Sequence, residues 1–327
     1  MKSYEPVQFL PMLAECALCP RNCGTNRLAT GPTAKIGFCK AKAGVEIARA
    51  GLHMWEEPCI SGSRGSGTVF FSHCNLRCVF CQNYQISHEG FGKPASLERL
   101  AEIFLALQTR GAHNINLVSP THFIPQAAEA LALVKQAGLA IPVVYNSNAY
   151  ESVEALRRLE GLIDVYLPDL KYFNDSTARR YSAAPGYFAA ATAAILEMFR
   201  QVGPPEFASP ERKGDEEKGD AVDDGQGLIQ RGLIIRHLVL PGLVGESKRI
   251  LDWIRANLPS SVYVSLMSQY TPLYKACQYP EINRPVSREE YDEVVDYFLE
   301  IGLENGYMQE PGSATGTYIP DFNLEGV

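Results

Sequence analysis

After residue 65 the chain alternates six times between a short apolar run and an amphipathic helical pattern, and few folds accept that rhythm. The strand-like runs are 68–72, 114–118, 142–146, 163–169, 232–240 and 262–267. Between them, apolar residues recur at helical spacing. Leu100, Ile103, Phe104 and Leu107 lie on one face behind a capping Ser96. Further helices are read over 126–137, 151–159, 176–181, 188–202 and 247–258, and a last one runs from a Ser287 cap to Leu303. Pro125 opens the first of these and Gly138 closes it. Strands in series with crossover helices pair in parallel. Their continuous rather than alternating apolarity fits a sheet covered on both faces. Six units fall short of the eight that close a barrel. The expected fold is therefore α/β, an open, partial (β/α)6 barrel of the TIM type.

Three segments are expected around that rhythm. Residues 1–64 form a cysteine-rich amino-terminal extension, 65–305 the barrel and 306–327 a tail, loose from Gly312 to Phe322. Residues 204–227 are charged and nearly free of large apolar groups, and read as a mobile surface insertion. The net charge of -7 argues against a general nucleic-acid or anionic-membrane surface. No run approaches the ~20 apolar residues of a membrane span, and the start lacks a secretory h-region. Nine cysteines in such a chain read as metal-binding thiols in a reducing cytoplasm.

The chemistry concentrates in the loop after the first strand. Cys74, Cys78 and Cys81 stand in Ser72-His73-Cys74-Asn75-Leu76-Arg77-Cys78-Val79-Phe80-Cys81, a C-x3-C-x2-C spacing. Three thiolates can hold three irons of a four-iron, four-sulfur cluster, which normally takes four cysteines. The next cysteine downstream is Cys277, so one iron keeps an open position, where a substrate or cofactor binds. A zinc knuckle would need a fourth ligand, for which His73 or His88 stands nearby.

C-x3-C-x-aromatic-C, with Phe80 at the aromatic position, resembles the signature of the radical S-adenosylmethionine (radical SAM) enzymes. The wider run from Gly65 through Asn83 resembles the activating enzyme of pyruvate formate-lyase. It is most like a branch of uncharacterised pyruvate formate-lyase activating enzyme-like proteins, over a span from about Cys16 to at least Gln269. The resemblance implies a radical SAM core, a [4Fe–4S] cluster and S-adenosylmethionine (SAM). The reduced cluster would cleave SAM to methionine and a 5′-deoxyadenosyl radical that removes a hydrogen atom from a substrate. It implies a flavodoxin or ferredoxin as reductant, and a glycyl radical enzyme as the activators' kind of substrate. The alternatives are modification of a small molecule or a peptide. From another class come an iron–sulfur electron carrier and a metal-binding regulatory module.

In parallel β/α folds the working residues collect at the carboxyl ends of the strands. The second strand ends in Ser119-Pro120-Thr121-His122, where many relatives carry a Gly-Gly-Glu run that holds the methionine amino group. This chain lacks that run; Ser119 and Thr121 are the candidate oxygens there, and His122 reads more as a structural or substrate residue than as a SAM contact. The third ends in Asn146-Ser147-Asn148, which resembles the activators' Asp-Thr-Asn-Gly segment. Asn146 and Asn148 suit a ribose or a carboxylate, although Asn and Ser also favour plain turns. The fourth ends in Asp169-Leu170-Lys171, matching the family's Asp-Leu-Lys run. Lys171 can pair with the methionine carboxylate, and Asp169 can accept from an amino group or hold Lys171. The fifth carries Arg236 and His237, candidate SAM or substrate contacts that strand alternation puts on opposite faces. Met267, Gln269 and Tyr270 are near the site by position.

Cys16, Cys19, Cys23 and Cys39 form a second constellation, with Gly37-Phe38-Cys39 resembling a knuckle turn. Four thiolates suit structural zinc or a second iron–sulfur cluster. Cys59 and Cys277 read as plain thiols.

Overall fold

The computed structural model describes residues 11–208, 227–309 and 320–327. Its sheet runs β10-β9-β8-β6-β5-β4-β2-β1-β3. The strands are β1 (Val45–His53), β2 (Ser66–Phe71), β3 (Lys93–Ala95), β4 (Ile115–Val118), β5 (Val143–Ser147), β6 (Val165–Pro168), β7 (Glu206–Phe207), β8 (Ile229–Leu238), β9 (Tyr263–Met267) and β10 (Gly306–Met308). The six expected strands are β2, β4, β5, β6, β8 and β9, each parallel to its neighbour in that order. The path stays open at β3 and β10, so the fold is a partial α/β barrel.

Both faces of the sheet are covered, as the continuous apolar strands require. Leu117, Tyr145, Tyr166 and Ile235 belong to the main core, together with apolar residues of the surrounding helices. Val144, Val165, Leu167 and Ile234 form a second cluster with Cys59 and Ile60. The short helix Pro58–Ser61 therefore packs inside the curve of the sheet. Ser96 caps the helix Leu97–Thr109 by accepting from the Arg99 amide. Ser287 and Glu290 close a full capping box on Arg288–Glu300.

Three features depart from expectation. β1 lies within the stretch read as an extension, yet it pairs antiparallel with β2 and with β3. β10 lies within the stretch read as a tail, and it is a further parallel strand on β9. Residues 320–327 are packed: the Ala50 amide donates to Glu325 and the Leu324 amide to Ala48. Phe322 meets Phe70 edge-on with ring centres 5.5 Å apart. Backbone groups along β1 needed partners, and the carboxyl-terminal residues supply some of them. The charged insertion falls mostly on residues 209–226 and the loose tail mostly on 310–319, both outside the described residues. Glu206–Phe207 forms β7, antiparallel to β8. No described helix is long and apolar enough to cross a membrane.

Candidate functional site

The carboxyl ends of the six parallel strands open onto one cavity of about 260 Å³. Cys74, Cys78, Phe80 and Cys81 line it from the loop after β2, Ser119 from β4, and Asn146 and Asn148 from β5. Asp169 and Lys171 enter after β6, Arg236 and Leu238 from β8, and Met267, Gln269 and Tyr270 from β9. Phe80 meets Tyr270 edge-on at 5.4 Å, which closes that side with apolar surface.

Each of the three thiols has a polar neighbour besides the cavity. Cys74 Sγ accepts from the Leu76 amide at 3.4 Å and from Asn148 Nδ2 at 3.5 Å. Ser182 Oγ donates to Cys78 Sγ at 3.0 Å, and Cys81 Sγ shares a hydrogen bond with Ser87 Oγ at 3.2 Å. Burial pushes the Cys74 thiol up to about 11, Cys81 up to about 12 and Cys78 upward as well. Buried sulfurs fit metal ligation better than a free thiolate, since a bound metal deprotonates a thiol outright. Among the described residues no three His, Cys, Asp or Glu side chains are arranged to hold a single metal ion. Three thiols that line one cavity suit a polynuclear centre, where each sulfur takes its own iron.

The loop itself is held from behind. Asn75 Nδ2 donates to the Tyr150 carbonyl at 2.6 Å and Asn75 Oδ1 accepts from Asn148 at 2.9 Å. His73 takes a left-handed backbone, φ 72°, directly after β2, and Ser119 does so after β4, φ 56°. Non-glycine residues reach that region at a cost, so the turns are imposed by their surroundings. His73 Nε2 bonds Glu46 Oε2 at 3.0 Å.

The cavity floor is a buried charge network. Arg236 donates from Nε to Asp169 Oδ1 at 2.8 Å, from Nη1 to Glu56 Oε2 at 3.2 Å and from Nη2 to Asn146 Oδ1 at 2.6 Å. Lys171 Nζ donates to Asp169 Oδ2 at 2.7 Å. Burial works against the charge on Asp169, but Arg236 and Lys171 outweigh it and hold the carboxyl below its usual range. Burial likewise opposes the charge on Lys171, and Asp169 and the Cys78 sulfur more than offset it, so the ammonium persists. Burial raises Glu56, with Arg236 pulling the other way. Arg236 has committed three of its five N–H donors, and its charge, to the floor. Lys171, with three N–H donors and one acceptor named here, has capacity left for a ligand carboxylate.

Glu56 was not legible in the sequence. It precedes the helix inside the curve of the sheet, and nothing in its neighbourhood marks it as a floor residue.

His237 is a correction. Its Nδ1 bonds the Leu170 carbonyl at 2.7 Å and its Nε2 bonds Ser247 Oγ at 2.8 Å. It is buried on the helix side of β8, not in the cavity, and burial lowers it to about 4. A neutral imidazole clamped at both nitrogens has no free position for SAM. His122 is also structural: Nε2 bonds the Ser72 carbonyl at 2.7 Å, and burial lowers it to about 3.

The comparisons with known proteins agree in direction. Residues 68–208 match the model of the Radical SAM superfamily. An uncharacterised protein of Methanocaldococcus jannaschii is 32% identical over 300 residues, covering 88% of this chain and 75% of its own. Among solved structures, the FeFe-hydrogenase maturase HydG of Carboxydothermus hydrogenoformans is 14% identical with a TM-score of 0.49, over 77% of this chain and 56% of its own. Streptococcus suis SuiB bound to S-adenosylmethionine is 11% identical with a TM-score of 0.46, over 74% of this chain and 49% of its own. The chain thus spans about half the length of these two structures.

Proposed function

The chain belongs to the radical SAM superfamily, and on that premise we propose that Cys74, Cys78 and Cys81 hold the [4Fe–4S] cluster with SAM on its open iron. Membership brings both cofactors. When bound, the reduced cluster supplies the electron that splits SAM into methionine and the hydrogen-abstracting 5′-deoxyadenosyl group. The chain's own residues bind, orient and exclude water. Lys171 offers its ammonium to the methionine carboxylate. Asp169 keeps that ammonium charged and aimed. Arg236 and Glu56 hold Asp169 and Asn146 in place. Asn148 steadies Cys74, and Ser119 presents an oxygen to the ligand. Phe80 and Tyr270 wall the side of the cavity. The observation that carries the reading is the convergence of three thiols and one unsaturated lysine on a single cavity.

The reaction we infer is hydrogen abstraction from a substrate entering the cavity mouth. The Asp169-Leu170-Lys171 run supports the activator reading, in which the substrate is a glycine backbone of a partner enzyme and the reductant a flavodoxin or ferredoxin. The anaerobically reconstituted protein should release 5′-deoxyadenosine on reduction with dithionite, and the Cys78→Ala variant should not. Release by that variant at the parent's rate would refute the ligand assignment. A stable organic radical on a co-incubated glycyl radical enzyme tests the substrate class.

A further inference from the structure

Given the ligand reading above, we propose that two hydrogen-bond relays behind the cluster loop raise the reduction potential of the cluster. One runs from Tyr172 through Ser182 to Cys78, the other from His88 through Ser87 to Cys81.

Both members of the first relay are buried. Ser182 Oγ lies 3.0 Å from Cys78 Sγ and 2.6 Å from the Tyr172 hydroxyl. Ser182 is the last residue of the helix Asp175–Ser182, and Ala183 turns the chain away at φ 48°. The same helix end grips the cluster loop through its backbone. The Arg77 amide donates to the Ser182 carbonyl at 3.0 Å, and the Val79 amide to the Tyr181 carbonyl at 2.8 Å. Arg21 ties the two segments together from outside: Nε donates to the Asn75 carbonyl and Nη2 to the Ala183 carbonyl, each at 2.6 Å. Tyr172 directly follows Lys171, so the segment after β6 that carries the ammonium also backs a cluster sulfur.

In the second relay, Ser87 Oγ lies 3.2 Å from Cys81 Sγ and 2.8 Å from His88 Nδ1. Ser87 ends the short helix Tyr84–Ser87, and the His88 amide donates to the Tyr84 carbonyl at 2.8 Å. The imidazole packs against Tyr274 with ring centres 4.9 Å apart, and Tyr274 in turn stacks on Tyr84 at 4.8 Å. Ring packing and backbone together fix where Nδ1 points.

The protons available set the direction of both relays. A metal-bound thiolate carries no proton and can only accept. Each serine has one O–H, which goes to the sulfur. Ser182 then accepts from the Tyr172 O–H, and Ser87 from His88 Nδ1–H. Burial lowers His88 to about 4, so the ring is neutral and has one N–H to give. Its Nε2 is buried with no partner among the described residues. That matches a proton on Nδ1, since a bare buried acceptor is tolerated better than an orphaned N–H.

Donors aimed at a cluster sulfur favour the redox state with more negative charge, and hydrogen bonds to the sulfurs help to set cluster potentials. Reduction adds one electron to the cluster and moves no proton along either relay. Ser182 and Ser87 act through the ligand sulfurs, and Tyr172 and His88 act through the serines, so all four are positioning residues.

The test is a reductive titration of the full chain, reconstituted anaerobically with ferrous iron and sulfide, free of SAM and read by the EPR signal of the reduced cluster. Ser182→Ala and Ser87→Ala should each make the reduction equilibrium about tenfold less favourable, a downward shift of about 59 mV for one electron. Iron per chain should not change. Tyr172→Phe and His88→Phe keep an aromatic ring and the serine, and should shift the midpoint the same way by less. A purely structural role would lower iron content or melting temperature and leave the midpoint in place. Midpoints equal to the parent's in the cluster-loaded variants, or shifted upward, would overturn the proposal. A parent that takes up no cluster would instead overturn the ligand reading, and this inference with it. If Ser182→Ala does not load, Tyr172→Phe decides the first relay.

Discussion

Replacing Lys171 with alanine separates ligand binding from structure at one position. Its ammonium is 2.7 Å from Asp169 Oδ2, and both side chains are mostly buried, 17% and 15% exposed. After the change Asp169 keeps Arg236 Nε at 2.8 Å, so no buried carboxylate is left unpaired. The fold should therefore survive with the iron content unchanged. The ligand loses a charge-assisted, partly buried hydrogen bond worth roughly 1.5–3 kcal/mol. At about 1.4 kcal/mol per decade, the SAM dissociation constant should rise roughly 10- to 150-fold. Asp169→Asn should weaken binding less, because Lys171 remains and loses only its anchor. The assay is equilibrium SAM binding to the oxidised, cluster-loaded protein, with the melting curve as control. Binding within twofold of the parent in Lys171→Ala would refute the assignment, and the methionine carboxylate would have to be held elsewhere.

Arg236→Met leaves Asp169, Glu56 and Asn146 without a shared donor, so urea unfolding should show a loss of about 3–5 kcal/mol. Adding Glu56→Gln should restore part of it, whereas strictly additive losses would mean the two groups are uncoupled. Glu151 is buried beside Thr121, and burial raises its carboxyl from the usual 4.5 to about 7. The folded protein therefore binds a proton that the unfolded chain has released, so stability is full below pH 4.5 and falls until about pH 7. Glu151→Gln should flatten that slope and stabilise the protein at pH 8 by about 2–3 kcal/mol. An unchanged pH profile in denaturant titrations would show that Glu151 is not the group responsible.

What the sequence determined is everything that repeats locally. Short continuous apolar runs located the six parallel strands and period-3.6 patterns the helices between them, because those patterns reflect which faces meet the core. Cysteine spacing singled out Cys74, Cys78 and Cys81 as candidate ligands, because ligands on one loop lie near in sequence. Strand alternation separated Arg236 from His237, as the structure bears out. Alternation has no sign, however. Only the curl of the sheet decided that Arg236 faces the cavity while His237 turns to Ser247 on the helix side. Glu56 became a floor residue because Pro58–Ser61 packs inside the sheet, bringing it to an arginine 180 residues away. β1, β10 and residues 320–327 took their places for the same kind of reason. An open sheet leaves unpaired edge amides and carbonyls, and whichever segment lies close enough satisfies them. Contacts between distant segments depend on how the elements pack, and packing is decided by the whole chain at once.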